Sequence, residues 1–150
     1  MVRPARILVV DDDKEVAYVM RRVLEGQGYF VEVAATGCEA VRKSQNNAYN
    51  VLFLDIRLPD VEGVDLLRLM KDTVPKARKI ILTGYPSMKN AIASLNYGAD
   101  AYLIKPVTAE KLLATVKTQL MLQEDDEAFS EEKITQFIEA RIRNLSSRSS

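Results

Sequence analysis

Short apolar runs alternate with longer amphipathic stretches along most of this chain. The runs read as strands near 6–10, 30–34, 51–55, 79–83 and 101–104. Apolar residues recur at helical spacing near 14–26, 37–47, 63–73, 87–97 and 108–122. This alternation predicts an α/β domain. Parallel neighbours need a crossover connection, and crossover helices cover both faces of the sheet. In the first helical stretch Val16, Val19, Met20 and Val23 fall at i, i+3, i+4 and i+7, a stripe expected to face the sheet. In the third, Val64, Leu66, Leu67, Leu69 and Met70 are expected to be mostly core. Asp13, Ser87 and Thr108 stand where N-caps are needed, Thr36-Gly37-Cys38-Glu39 reads as a capping box, and Gly28 and Gly98 fall where helices end.

Beyond residue 122 the pattern changes. Gln123-Glu124-Asp125-Asp126-Glu127 opens an acidic stretch that reads as a solvated linker over 123–129. Ser130-Glu131-Glu132 then caps a further amphipathic helix over 130–145, with Ile134, Phe137, Ile138, Arg141, Ile142 and Leu145 on one broad face. Residues 146–150 read as a disordered tail. The resulting organisation is a domain over 5–122, the linker, the C-terminal helix and the tail.

Composition narrows the function classes. The chain has 150 residues, with 21 basic against 21 acidic side chains, so total charge gives no reason to expect nucleic acid or an anionic membrane as a partner. No apolar segment is long enough to span a bilayer, and the N-terminus lacks a signal-peptide pattern, which points to the cytoplasm. The single cysteine, Cys38, offers neither a disulfide nor metal-ligand spacing. There is no histidine, so a Ser-His-Asp triad, a histidine metal site and a phosphohistidine of the chain's own are excluded.

The candidate chemistry lies at the ends of the strand runs. The first stops at Asp11-Asp12-Asp13, the third at Asp55, the fourth at Thr83-Gly84 and the fifth at Lys105-Pro106. In an open parallel sheet these carboxyl ends share one edge, where ligand sites are found. An aspartate can accept a phosphoryl group as a nucleophile, provided a cation and a fixed positive side chain offset the repulsion between the two anions. Asp11, Asp12 and Asp55 supply hard oxygen ligands of the kind Mg²⁺ prefers. Lys105 brings a compact positive charge, Thr83 a hydroxyl donor, and Gly84 room for approach.

These motifs carry a resemblance. Val9-Val10-Asp11-Asp12-Asp13, Leu54-Asp55-Ile56-Arg57-Leu58-Pro59-Asp60-Val61-Glu62-Gly63, Ile81-Leu82-Thr83-Gly84-Tyr85 and Gly98-Ala99-Asp100-Ala101-Tyr102-Leu103-Ile104-Lys105-Pro106 occur in the order and spacing of a response-regulator receiver domain of two-component signalling. The chain resembles that family over about residues 5–121. The resemblance implies a doubly wound, flavodoxin-like five-stranded parallel sheet of order 2-1-3-4-5, here with an extra C-terminal helix. It implies Asp55 as phosphoacceptor, with Asp11, Asp12, Asp55 and the backbone carbonyl of Arg57 holding Mg²⁺. Thr83 and Lys105 would bind the phosphoryl group, Thr83 and Tyr102 would form the switch, and the Lys105-Pro106 bond would be cis.

The implied role is a phosphoacceptor switch rather than a turnover enzyme, one that assists its own phosphorylation and dephosphorylation. The expected partners are a sensor histidine kinase or histidine phosphotransfer protein, with homodimerisation through the face of the fourth and fifth helices as a further option. With Arg57 at the second position after Asp55, the Asp-x-Asp pattern of a dehalogenase-like phosphatase is missing. A pseudo-receiver or binding module signalling without phosphorylation is the alternative reading, against which the five intact positions weigh. Arg57 and Tyr85 are expected to flank the path of attacking water.

Overall fold

The structure, a computed structural model, describes residues 3–148. Five strands, β1 (Arg6–Val10), β2 (Phe30–Ala34), β3 (Val51–Leu54), β4 (Arg78–Thr83) and β5 (Ala101–Ile104), form one parallel sheet in the order β2-β1-β3-β4-β5. Helices α1 (Lys14–Glu25), α2 (Gly37–Asn46), α3 (Gly63–Thr73), α4 (Met88–Asn96) and α5 (Ala109–Arg148) follow the strands in turn. The doubly wound architecture expected from the sequence is the one found.

Strand side chains alternate between two cores, as the two-residue period of a strand requires. Leu8, Val10, Leu52, Leu54 and Ile81 pack with Ala40 of α2 and Leu66, Leu67 and Met70 of α3. Ile7, Val9, Phe53, Ile80 and Leu82 pack on the opposite face with Ala17, Met20 and Leu24 of α1 and Leu112 and Val116 of α5. Both faces are covered, which accounts for strands that read as nearly unbroken apolar runs.

Local signals set the helix starts. The Asp13 carboxylate accepts from the amides of Glu15 and Val16, and Thr108 Oγ1 accepts from the Lys111 amide. Ser87 and Asn90 form a full capping box at α4. At α2 the box is displaced by one residue: Thr36 Oγ1 accepts from Glu39 N, but the Glu39 carboxylate reaches past Thr36 to the amide of Ala35. Gly28 and Gly98 both sit at φ +89°, where a Cβ would strain the backbone.

Three expectations are corrected. The α1 stripe is rotated: Ala17, Met20 and Leu24 are buried while Val19 is 58% exposed, because Ala17 and Leu24 supply the centre of a face whose edge Val19 occupies. In α3, Leu69 is likewise about half exposed.

The third correction is the largest. Residues 123–129 are not a linker, since α5 runs unbroken from Ala109 to Arg148. No glycine or proline follows Pro106, so nothing in the sequence breaks the helix. The supposed linker is also anchored. Gln123 is buried and donates to the carbonyls of Asn50 (3.1 Å) and Lys76 (2.9 Å), while Asn50 Nδ2 donates back to its side-chain oxygen. Arg78 holds Gln119 (2.9 Å) and Asp126 (3.1 Å). Ser130 lies within the helix rather than at a start, and 146–148 continue it; 149–150 of the expected tail fall outside the described residues. Among the described residues no helix is long and apolar enough to cross a membrane.

Candidate functional site

At the carboxyl edge of the sheet the strand ladder continues one residue into the loops. Asp11 N donates to Ala34 O and Asp55 N to Val10 O, both at 3.0 Å, which fixes the backbone from which both carboxylates project. Asp11 and Asp55 are buried and Asp12 is exposed. Each of the three offers an oxygen within 4.8 Å of the others'. Three hard oxygen donors at this separation fit a divalent cation of the Mg²⁺ type, with waters filling the remaining positions. The Asp13 amide donates to Asp11 Oδ1 (2.9 Å), holding that carboxylate in place.

Lys105 bridges Asp11 and Asp55. Its Nζ lies 2.6 Å from Asp11 Oδ2 and 3.2 Å from Asp55 Oδ2. The backbone aims it there, through the cis Lys105-Pro106 bond and a 2.8 Å bond from Lys105 N to Thr83 O. Burial raises the Asp55 pKa, Lys105 opposes that rise, and Asp11 adds to it; the carboxyl ends above its ordinary value. For Lys105, burial works against the charge, but the hydrogen bonds and charges of Asp11 and Asp55 prevail and hold the ammonium above the usual lysine range.

The remaining expected residues stand around this centre. Thr83 is fully buried, and its hydroxyl oxygen accepts from the Tyr85 amide at 3.0 Å. A Cβ on Gly84 would meet only Lys105 methylenes at 3.9–4.0 Å, so the loop leaves open space here. The Arg57 amide points at Asp55 Oδ1 (3.4 Å), and its guanidinium stacks 3.9 Å over the Tyr85 ring. Tyr102 is half-buried against the α2–α3 core and donates its hydroxyl hydrogen bond to Asn90 Oδ1.

Two residues with a part in this geometry were not singled out from the sequence. Asn90 caps α4, receives Tyr102, and donates from Nδ2 to Tyr85 O at 3.0 Å, so it ties the Thr83–Tyr85 loop to Tyr102. Its signal was the spacing Ser87-x-x-Asn90, a capping box with Asn in place of Glu or Gln. Asp60 accepts from the amides of Gly37 (2.8 Å) and Cys38 (2.9 Å), pinning the β3–α3 loop to the start of α2, and those amides hold its carboxyl below the usual range.

Gly63 was recognised only as part of a motif, but its need is steric. A Cβ there would lie 2.1 Å from the Asp55 carbonyl oxygen.

A doubly wound parallel sheet with an acidic trio, a buried hydroxyl and a lysine at its carboxyl edge defines a class of signalling domains. The family model for the response regulator receiver domain matches residues 7–117, and the chain belongs to that family, the receiver domains of two-component systems. It is 39% identical over 124 residues to the response regulator MprA of Mycobacterium sp. (strain KMS), covering 83% of this chain and 54% of that protein. The chain thus spans about half the length of the curated relatives it matches.

Among solved structures it is similar to a CheY-like receiver domain protein from Methanospirillum hungatei JF-1. The TM-score is 0.81 at 44% identity, covering 82% of this chain and 98% of that one. A response regulator from Burkholderia pseudomallei, solved with a phosphorylated aspartic acid, calcium ion and citrate, matches with a TM-score of 0.73 at 32% identity, covering 84% and 74% of the two chains.

Proposed function

We propose that Asp55 accepts a phosphoryl group from a phosphohistidine on a separate cytoplasmic chain, a sensor histidine kinase or a phosphotransfer protein. The observation that carries this reading is the placement of Asp55, a buried carboxylate beside Asp11 and Asp12, with the Lys105 ammonium bridging it to Asp11. One Asp55 oxygen attacks phosphorus, an oxygen–phosphorus bond forms, and the nitrogen–phosphorus bond to the donor imidazole breaks. Asp11, Asp12 and Asp55, with the Arg57 carbonyl, would hold Mg²⁺, which when bound offsets the charge of the incoming group. Lys105 gives up its contact with Asp55 and pairs with a phosphoryl oxygen. Thr83 turns its hydroxyl from Tyr85 toward another.

The same groups that favour transfer also position water for hydrolysis, so the domain assists its own phosphorylation and dephosphorylation without being an enzyme toward other substrates. The readout is a population shift of the α4–β5–α5 face. Two features support this: Asn90 links the Thr83 loop to Tyr102, and Met88, Ile92, Leu95 and Ile104 leave large apolar side chains exposed on that face.

The test is incubation with Mg²⁺ and acetyl phosphate followed by intact mass. One acid-stable, base-labile phosphoryl group is expected, lost in Asp55→Asn and without metal. If neither acetyl phosphate nor beryllofluoride changes the protein, the pseudo-receiver reading replaces this one.

A further inference from the structure

We propose that the part of α5 beyond the receiver is a docking face for a second copy of this chain, which pairs with it in antiparallel orientation. The Asp126–Arg78 ion pair ties α5 to the sheet. From there to Arg148 the helix continues for about 33 Å at 1.5 Å per residue. Ile134, Phe137, Ile138, Ile142 and Leu145 lie on one face of this segment, and each exposes half or more of its surface. That face lies on the same side of the helix as the stripe of Leu112, Val116, Gln119 and Gln123 that packs on the receiver, turned from it by roughly 50°.

Charge identifies the occupant. Residues 124–132 hold six acidic and no basic side chains, whereas Lys133, Arg141 and Arg143 outnumber the single Glu139 over 133–145. Two such helices complement each other only head to tail.

The heptad register sharpens the point. Glu131, Ile138 and Leu145 occupy one core position, and Glu127, Ile134 and Arg141 the other. In a parallel pair each residue faces its own copy, so Glu127, Glu131 and Arg141 all meet like charge. Reversing one helix sets each position against the other kind. Ile134 then faces Ile138 of the second copy, Glu131 faces Arg141, and Glu127 faces Leu145. Phe137 meets Phe137 across the two-fold axis, and Ile142 lies over Ala128.

A cleft of about 830 Å³ separates the underside of the receiver from α5, with Lys71, Lys76 and Arg78 on one wall and Asp126, Glu127 and Glu131 on the other. In the antiparallel register residues 141–145 of the second copy lie against Glu127 and Glu131, on the α5 wall of this cleft. Nothing in this pairing requires phosphoryl chemistry.

Sedimentation velocity on the full chain at about 100 µM, without phosphodonor, tests it. A dimer is expected, and Ile138→Glu, a change at an exposed position outside both cores, is expected to return it to monomer. Glu131→Arg and Arg141→Glu each weaken association by about tenfold or more, and the two together restore it. Spin labels on Asp125→Cys in a Cys38→Ser background should lie roughly 33 Å apart along the helix axis. A monomeric wild type overturns the proposal, as does a dimer that survives Ile138→Glu. Single reversals without effect, or labels within about 15 Å, establish a parallel pair and overturn the antiparallel one.

Discussion

Lys105 rests on Asp11 rather than on the proposed phosphoacceptor: its Nζ is 2.6 Å from Asp11 Oδ2 and 3.2 Å from Asp55 Oδ2. The ammonium therefore holds a carboxylate that the proposed divalent cation would also use, and the two positive charges would compete for it.

Lys105→Met removes the competitor. Mg²⁺ affinity, measured by calorimetry, is expected to rise several-fold. Without metal, the variant is expected to lose about 2–3 kcal/mol in urea unfolding, because Asp11 and Asp55 are left as unbalanced neighbours in a partly buried site. Phosphorylation by acetyl phosphate should fall despite the tighter metal. Unchanged Mg²⁺ affinity would show that the two cations do not share the site.

Asp55→Asn should stabilise the metal-free protein. Burial sets the folded pKa of Asp55 above its unfolded value, so the native state holds the proton more tightly. Between the two values the native state binds more protons than the unfolded chain, and stability falls as pH rises through that window. Above the window the full cost is present, and removing the charge is expected to raise stability. Denaturant melts from pH 3 to 7 should show the wild-type decline reduced in Asp55→Asn. A lower stability for the variant at pH 7 would contradict this account.

Arg57 and Tyr85, from the loops that follow Asp55 and Thr83, stack as one unit. Arg57→Ala and Tyr85→Ala are each expected to shorten the phosphoryl half-life several-fold, and the double variant should add little to either, since losing one partner already opens the stack. Half-lives equal to wild type would remove both residues from any part in excluding water.

Gly63→Ala tests the packing behind the acceptor. With a Cβ 2.1 Å from the Asp55 carbonyl oxygen and 2.8 Å from Ile56 Cα, the start of α3 must move away from the β3–α3 loop. A loss of about 3 kcal/mol is expected, together with a slower phosphorylation rate, because the displaced atoms belong to Asp55 itself. Wild-type stability and rate would mean that the loop yields without cost.

Much of the fold was legible because strands buried on both faces must be apolar throughout, and helices between them must carry a stripe. Asp11, Asp12, Asp55, Thr83 and Lys105 were visible because each ends such a run. Asn90 was hidden, since its role depends on Tyr102 and Tyr85 arriving from other parts of the chain. The stripe on α1 was misplaced by one side chain because Ala17, small but buried, contributes little to a pattern read from large residues. The acidic stretch misled for a related reason. Charge suggested solvent, while Gln123 and Asp126 were committed to Asn50, Lys76 and Arg78, partners far away in sequence.

The unbroken α5 has a mechanical consequence. Its first turns are seated on the sheet by Leu112, Val116 and Gln119, and no glycine or proline hinge separates them from Leu145. A helix of this kind acts as a lever whose fulcrum is its seat on the receiver. A tilt of about 5° at that seat displaces a point 30 Å along the helix by roughly 2.6 Å, about half of one helical turn. Small adjustments beside β5 are thereby read as large ones at the far end of the molecule.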